Sequence, residues 1–553
     1  MREPARMGGS SFTPLPVVAV RTPAREPWLA PRGLWFPAAV MAASLLVAAA
    51  AGLTFGVLAA LEVGVARDRW LVVVQAHGEL QLWGWFAVFI VALLFEFIVR
   101  LNGRPPVPLR SRALVIALLG GGPILSTAGR LIGTEGHVLV TAGAVLLATG
   151  SLLLVVIVMR IRPAHPFRVD LHPLFFRAGV LWLLLAALAT LVASWDVDSG
   201  ATSLDESHLA AEIFLRGFVI NVTFAVALRA FVGHLGLPPM PIERQRVLWG
   251  LVNVSIVVWA SGSAGFGLPG VPTLAATGNL LFAAGLFWAT WAFGIGRAVR
   301  RWRRRLHRAQ ILVPIAWLGL LVYGVTLAAQ AVLVLGSGVR LTLYEVGAAR
   351  HMLALGFVAP LLIAMAHVVL ERFLIGRLFG DKWLTVAFVI LVIAWPMRVV
   401  PPLVDGGIGD LARGVMGAAG ILTAGALLIA AAVAAWNAVA AERYVRLLQS
   451  LQGAYPERRD PTTASQHETR VQPAGTHMHE IDVRADIAAG HEPFPRIMAA
   501  VNSLAPGEGL LLIAPFEPEP LYTVLTERGL EHEAVARGDG AWQVTIRRRA
   551  AGD

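Results

Sequence analysis

The sequence predicts an all-α polytopic membrane bundle of about twelve transmembrane helices in three groups of four, followed by a small C-terminal α/β sandwich. Of the 553 residues, 57% are hydrophobic and only 15% are charged, a balance too apolar for a soluble globular protein. Apolar runs long enough to cross about 30 Å of hydrocarbon recur along most of the chain. The C-terminal residues instead alternate short apolar strands, turns and helices.

Twelve apolar runs are predicted to span the membrane. They lie at residues 34–60, 71–99, 112–128, 137–159, 175–195, 208–233, 247–263, 273–296, 311–335, 346–370, 383–400 and 412–440. Residues 1–33 are rich in Pro and Arg and no small-residue cleavage site follows them, so they are predicted to form a disordered cytoplasmic leader. The remaining predicted domains are a membrane domain at 34–445, a linker at 446–476 and a soluble domain at 477–549.

Positive charge follows every even-numbered span. Arg100 and Arg104 follow the second span, and the run RRWRRRLHR, which begins at Arg300, follows the eighth. The positive-inside rule then predicts that both chain termini are cytoplasmic. These arginines also explain the formal net charge of +11, which therefore indicates topology and contact with membrane lipid rather than nucleic-acid binding.

An internal repeat supports the grouping of the spans in fours. Gly84-Trp85 in the second span and Gly217-Phe218 in the sixth are 133 residues apart, and the same offset relates two proline-rich turns at 105–108 and 238–241. A looser third copy, Gly356-Phe357, lies 139 residues further along in the tenth span. The alternative is that Gly-aromatic pairs and Pro-Pro turns are simply common in polytopic proteins.

Three histidines mark the predicted functional site. His77, His208 and His351 lie near the outer ends of the second, sixth and tenth spans, where an ionisable side chain is costly and usually functional. The chain has no cysteine, which excludes disulfides, thiolate metal sites and c-type haem attachment. Neutral imidazole suits haem iron or copper, so we expect these histidines to bind a metal or haem. His77 and His351 are the best haem-ligand pair, and His208 is expected to be a neighbouring polar or copper position. The alternative is that they only form hydrogen bonds inside the bundle.

Four further residues complete the predicted site. His137 begins the fourth span on the same side and is a candidate fourth ligand. His208, Glu212 and Arg216 follow one helix face at intervals of four residues. Glu212 would orient the histidine, and Arg216 would bind a haem propionate or another anion; the alternative is a Glu-Arg pair that neutralises itself. Gln81 lies one turn from His77 and is predicted to support it.

The C-terminal domain is predicted to have the order βαβαββ. Strands are expected at 479–483, 510–514, 531–536 and 542–548, with helices at 493–504 and 518–528. This order gives a two-layer sandwich. The domain resembles the TusA/SirA sulfur-carrier fold, but His491-Glu492-Pro493 stands where that family has a Cys-Pro helix start. Sulfur transfer through a thiol is therefore excluded here.

The membrane domain resembles the NnrS family of haem- and copper-associated membrane proteins. The resemblance is carried by HGELQLWGWFAVFIVALLFEFIVRLNGRPPVP from His77, HLAAEIFLRGFVINVTFAVALRAFVGHLGLPP from His208 and RHMLALGFVAPLLIAMAHVVLERF from Arg350. Three groups of four spans also resemble subunit I of the haem-copper oxidases. Unlike in that family, the seventh span has no histidine pair, as VNVSIVVWASG from Val252 shows, so a complete oxygen-reducing centre is not expected.

The resemblance implies a protein of the bacterial cytoplasmic (inner) membrane that binds b-type haem, copper or both and responds to nitric oxide or nitrosative stress. An electron donor would be an additional partner. If the protein turns over, the resemblance implies a haem-dependent oxidoreductase that acts on nitric oxide or a similar small oxidant. The second hypothesis is a transporter or channel for a small solute or protons, regulated by the C-terminal domain. Threefold repetition favours the first, since transporters more often consist of two halves.

Overall fold

The computed structural model describes most of the membrane domain and the ordered elements of the C-terminal domain. The predicted leader and most of the predicted linker lie outside the described residues. The described residues are 35–102, 104–163, 170–235, 237–263, 271–300, 308–338, 341–370, 378–405, 409–454, 478–484, 486, 493–504, 508–514, 518, 521–522, 525, 530–537 and 541–548. The chain divides into two compact units, one of which is Arg32–Glu457 and the other of which contains Arg458–Asp553.

Twelve helices of the described chain are long and apolar enough to cross a membrane, which confirms the predicted fold class of a multi-pass membrane protein. We label them α1 to α12: Trp35–Leu61, Trp70–Val99, Leu109–Ile132, Thr134–Arg160, His172–Ala193, Leu204–Val232, Ile242–Ser263, Pro272–Phe293, Gln310–Ser337, Leu343–Leu370, Asp381–Val404 and Asp410–Arg443. The helix that contains α12 continues to Ala454, so helical structure extends into the range predicted as linker.

Three of the helices form the inside of the bundle. In the most apolar 18-residue stretch of α2, α6 and α10, 89%, 83% and 83% of the residues are buried. In the corresponding stretch of the other spans, the buried share does not exceed 56%. A helix that is apolar on every side is expected to be buried on every side. Helices that follow one another in the chain pack together, and α12 packs against α1 to close the arrangement. Each group of four therefore contributes one inner helix.

The three inner helices share a local distortion. Each contains a π-helical segment: Leu80–Ala87 in α2, Ile213–Val219 in α6 and Ala354–Val358 in α10. Every one of these segments contains a Gly-aromatic pair of the sequence repeat. The glycines allow close approach of an outer helix, since a Cβ on Gly217 would lie 2.5 Å from Trp182 Cβ and one on Gly356 would lie 2.6 Å from Trp395 Nε1. The repeat is therefore a repeat of helix distortion and packing.

Both α6 and α10 begin with a side-chain cap. Ser203 accepts a hydrogen bond from the backbone N–H of Glu206, and Thr342 forms a reciprocal capping box with Glu345. Such caps satisfy amide groups that have no partner within the first helical turn. They fix the ends of the two helices at which His208 and His351 lie.

The α3–α4 hairpin depends on backbone contact. A Cβ on Gly136 would overlap the carbonyl oxygen of Gly129, and a Cβ on Gly129 would lie 2.8 Å from the backbone nitrogen of Val140. Small residues at such crossings are typical of membrane helices, because close packing rather than hydrophobic burial holds helices together in lipid.

We expect Gly129→Val to lower the free energy of unfolding by about 1–3 kcal/mol, because its side chain would force the two backbones apart. Thermal unfolding in detergent measures this. The matched control is Gly121→Val in the same helix, where no atom lies within 4 Å of an added Cβ. Equal stabilities of the two variants would contradict the proposed role of this contact.

The C-terminal unit is a four-stranded sheet packed against a helix. Its strands are β1 (Met478–Asp482), β2 (Gly509–Ala514), β3 (Leu530–Ala536) and β4 (Trp542–Arg548), in the spatial order β1-β2-β4-β3. β1 is parallel to β2 and the other pairs are antiparallel. Helix α13, Phe494–Ser503, lies between β1 and β2 in the sequence. The predicted second helix falls mostly outside the described residues.

The core of this unit follows from the alternation of side chains along β2. Leu510, Leu512 and Ala514 are buried together with Val501 of α13. After β1, Arg484 donates hydrogen bonds to Asp482, and these bonds hold the pKa of that carboxyl below its usual value. The helix thus covers the apolar face of the central strand, as the predicted two-layer sandwich requires.

Candidate functional site

A cavity of about 420 Å³ lies at one end of the membrane bundle. Its volume is within the range of about 300–1,000 Å³ that is typical of small-molecule and cofactor sites. Residues of α1, α2, α3, α5, α6, α10, α11 and α12 line it, with mostly apolar walls. His77, His208 and His351 all line this cavity, so the structure brings the three predicted histidines to one place.

His77 and His351 face each other as a matched pair. Their ring centroids are 6.4 Å apart and their planes are inclined by only 10°. His77 Nδ1 lies 3.4 Å from the carbonyl oxygen of Ala51, and His351 Nδ1 lies 2.7 Å from that of Gly347. A carbonyl oxygen can only accept, so each Nδ1 donates and each Nε2 retains its lone pair. This is the hydrogen-bond pattern of histidines that bind metals.

The position of the His77 ring is set by a distortion in α1. The segment Gly52–Gly56 is π-helical and follows directly after Ala51, whose carbonyl contacts His77. A Cβ on Gly56 would lie 2.8 Å from His77 Cε1, so only glycine leaves room for the ring. π-helical segments occur frequently at functional sites, and here one supplies both the space and the hydrogen-bond acceptor for a candidate ligand.

His208 has a different environment from the other two histidines. Its Nδ1 lies 2.6 Å from Arg350 Nη2. A guanidinium group only donates, so His208 Nδ1 accepts, and the hydrogen of the neutral ring lies on Nε2. In this arrangement neither ring nitrogen is free to bind a metal. Within the described part of the chain, no three His, Asp or Glu side chains form a group that could hold a metal ion. His208 is therefore not grouped with His77 and His351 as a set of ligands in the described residues, because Arg350 occupies the position beside its Nδ1.

Glu212 joins two guanidinium groups. It lies 2.9 Å from Arg216 Nε and 3.2 Å from Arg350 Nε, and the side chains of Glu212 and Arg216 are only 5% and 4% exposed. Arg216 also donates to Asn279 in α8 and lies over the ring of Trp259 in α7, 4.6 Å from its centroid. We call Glu212, Arg216, Arg350 and His208 the charged cluster. It ties α6 to α10 and carries one more positive than negative charge.

Three other predicted site residues contact groups other than the three histidines. Arg216 does not line the cavity, because its guanidinium is held within the charged cluster. His137 is exposed, is near the carbonyl oxygen of Thr134 and does not line the cavity, because it stands at the start of α4, outside the inner helices. Gln81 does line the cavity, but its amide donates to the carbonyl oxygen of Ala48 in α1 rather than to His77.

The structure adds residues that the sequence reasoning missed. Arg398 of α11 lines the cavity, and its one described hydrogen bond goes to the sulfur of Met416. Among the described ion pairs none involves Arg398. The signal was available, since an arginine within a predicted span is itself unusual. Arg130 also lines the cavity, but Glu79 neutralises it.

Two glycines leave part of the cavity wall open. Gly78 of α2 and Gly347 of α10 line the cavity, and no atom lies within 4 Å of a Cβ built on either one. They follow His77 and precede His351 in the sequence. A larger side chain at either glycine would therefore extend into the cavity without meeting a protein atom at its Cβ.

We expect Glu212→Gln to lower the free energy of unfolding by about 3–5 kcal/mol, because it takes the carboxylate away from the buried guanidinium of Arg216 and the partly buried one of Arg350. Thermal or denaturant unfolding in detergent measures this change. Glu135→Gln, at an exposed position, is the control. A Glu212→Gln protein as stable as this control would show that the charged cluster does not stabilise the bundle.

These features define a class of protein: a multi-pass membrane protein with a histidine-containing cavity inside its helical bundle. Residues 480–548 match a family described as an uncharacterized conserved protein (DUF2249). The match covers the C-terminal unit alone, and no match to the NnrS family was found. No curated protein matches the chain.

Proposed function

We propose that the protein is an integral membrane haem protein of NnrS type, with a b-type haem held between His77 and His351. The observation that carries this proposal is the pairing of two nearly parallel imidazoles whose Nδ1 atoms both lie within reach of backbone carbonyls. A haem supplies one-electron redox chemistry and affinity for diatomic ligands such as nitric oxide. The proposed role is a response to nitric oxide or nitrosative stress, or related redox chemistry.

His77 and His351 lie close enough together to hold one metal group. Their ring centroids are 6.4 Å apart, and an imidazole nitrogen binds a metal at about 2.0 Å. The carbonyl groups of Ala51 and Gly347 would fix both rings in the orientation that presents Nε2.

The charges around the cavity suit a cofactor with carboxylate groups. Arg398 has no described ion-pair partner, and Arg350 shares the single carboxylate of Glu212 with Arg216. Arginine binds carboxylates through two parallel hydrogen bonds. We assign the binding of the haem propionates to Arg398 and Arg350, in place of the Arg216 expected from the sequence. The mostly apolar walls and the space at Gly78 and Gly347 would accept the flat ring.

The remaining parts of the proposal rest on the sequence. The even-numbered spans end in positive charge, so we propose a bacterial cytoplasmic membrane location with both termini cytoplasmic and the cavity near the outer face. The C-terminal unit would then be a cytoplasmic TusA/SirA-like module without thiol chemistry. Copper is an alternative occupant of the same two Nε2 atoms. If the protein turns over, an electron donor and a small oxidant such as nitric oxide are the proposed partners.

The first test replaces the two proposed ligands. We expect His77→Ala and His351→Ala each to abolish the Soret band of protein purified from cells supplied with haem. His137→Ala, which removes an exposed histidine outside the cavity, should leave the band unchanged. A pyridine haemochrome assay and metal analysis identify the bound group. If wild-type protein contains neither haem nor copper, the redox hypothesis fails and a transporter becomes the better explanation.

The second test fills the cavity without touching a ligand. We expect Gly78→Leu and Gly347→Leu to reduce haem content strongly, because each leucine would project into the space beside the histidines, while folding is preserved. Gly250→Leu is the matched control. An added Cβ at this position also meets no atom within 4 Å, and Gly250 does not line the cavity. Full haem content in both cavity variants would place the haem elsewhere.

A further inference from the structure

A second cavity lies on the inside of the bundle, lined by the three inner helices. Its volume is about 60 Å³, and its lining residues all belong to α2, α6 and α10. Leu94 of α2 and Ala227 of α6 are 1% and 2% exposed, so these walls face the interior and not lipid. The threefold arrangement of the bundle thus leaves a space where its inner helices meet.

The chemistry of the lining is almost uniform. Thr223 is the one polar residue among the described lining residues, and the others are aliphatic, alanine, phenylalanine or methionine. A buried water needs about two to four polar partners, and apolar cavities of sufficient size stay dry and bind apolar guests. A single hydroxyl cannot satisfy a water molecule. The cavity therefore favours a small apolar molecule over water.

The second cavity lies close to the first along two of the inner helices. Phe86 and Leu355 line the large cavity, whereas Ile90 and Val358 line the small one. In each helix these residues are separated by about one turn, which corresponds to about 5.4 Å along the helix axis. A molecule held in the small cavity would thus lie about one helical turn from the walls of the large one.

We infer that the second cavity is a binding site for small apolar gas molecules, the class to which nitric oxide, dioxygen and xenon belong. The space of about 60 Å³ is too small for a haem or a lipid chain, and its aliphatic and aromatic lining offers dispersion contacts to a small apolar guest. The suggestion that nitric oxide is the physiological guest rests on the proposed function. The existence of the site does not, since xenon tests it without any haem chemistry.

The experiment uses the full-length protein in detergent and xenon as the probe. Crystals pressurised with xenon should show anomalous density between α2, α6 and α10, and xenon NMR should report binding in solution. Ala230→Leu fills the cavity and should abolish both signals. Ala260→Leu is the matched control, because this alanine is likewise partly buried but lies in α7 and does not line the cavity. Thr223→Val should bind xenon at least as well as the wild type.

Xenon density absent from this position in the wild-type crystals would overturn the site. An Ala230→Leu protein that binds xenon there as the wild type does would also overturn it, whereas loss of binding confined to this variant supports it. The haem assay separates the two proposals. Bound haem with no xenon site removes only this inference, and xenon binding with no haem removes only the proposed function.

Discussion

The arrangement of the cavity depends on one carboxylate, that of Glu212, which lies between the guanidinium groups of Arg216 and Arg350. Burying two like charges so close together inside a membrane bundle is unfavourable unless an anion separates them. Glu212 does so and thereby fixes Arg350, the residue that precedes His351, against α6. The same arrangement gives His208 a hydrogen-bond donor at Nδ1. One ion network therefore both orients α10 and separates His208 from the other two histidines.

Helix distortion determines what the inner helices can present to the cavity. Each of α2, α6 and α10 has a π-helical segment just after its histidine, and α1 has one beside His77. Such a segment changes the direction in which the following side chains project. The distortion therefore acts on the Gly-aromatic pairs that follow the histidines, where each inner helix packs closely against a neighbouring helix.

The sequence predicted the fold more completely than the site. Composition and apolar runs were sufficient for all twelve spans, because a membrane helix must be apolar over its whole length. That His77, His208 and His351 line one cavity was also predictable, since an ionisable residue near a span end stands out. The contacts of His208, Arg216 and His137 were not, because rank order along a helix does not reveal which neighbour a side chain meets. Arg350 contacts His208, and Asn279 accepts a hydrogen bond from Arg216. Both partners come from distant parts of the chain, and only packing brings them there.

Arg398 has a consequence for how such a protein would be assembled. Arg398 lines a mostly apolar cavity and has no ion-pair partner among the described residues, which raises the free energy of the folded bundle. A bound carboxylate-bearing cofactor would remove that cost and would stabilise the folded state by an amount that grows with the logarithm of the free cofactor concentration. Newly inserted chains without a cofactor would therefore be the form most exposed to proteolysis. Supply of the cofactor, rather than synthesis of the chain, would then limit how much protein accumulates.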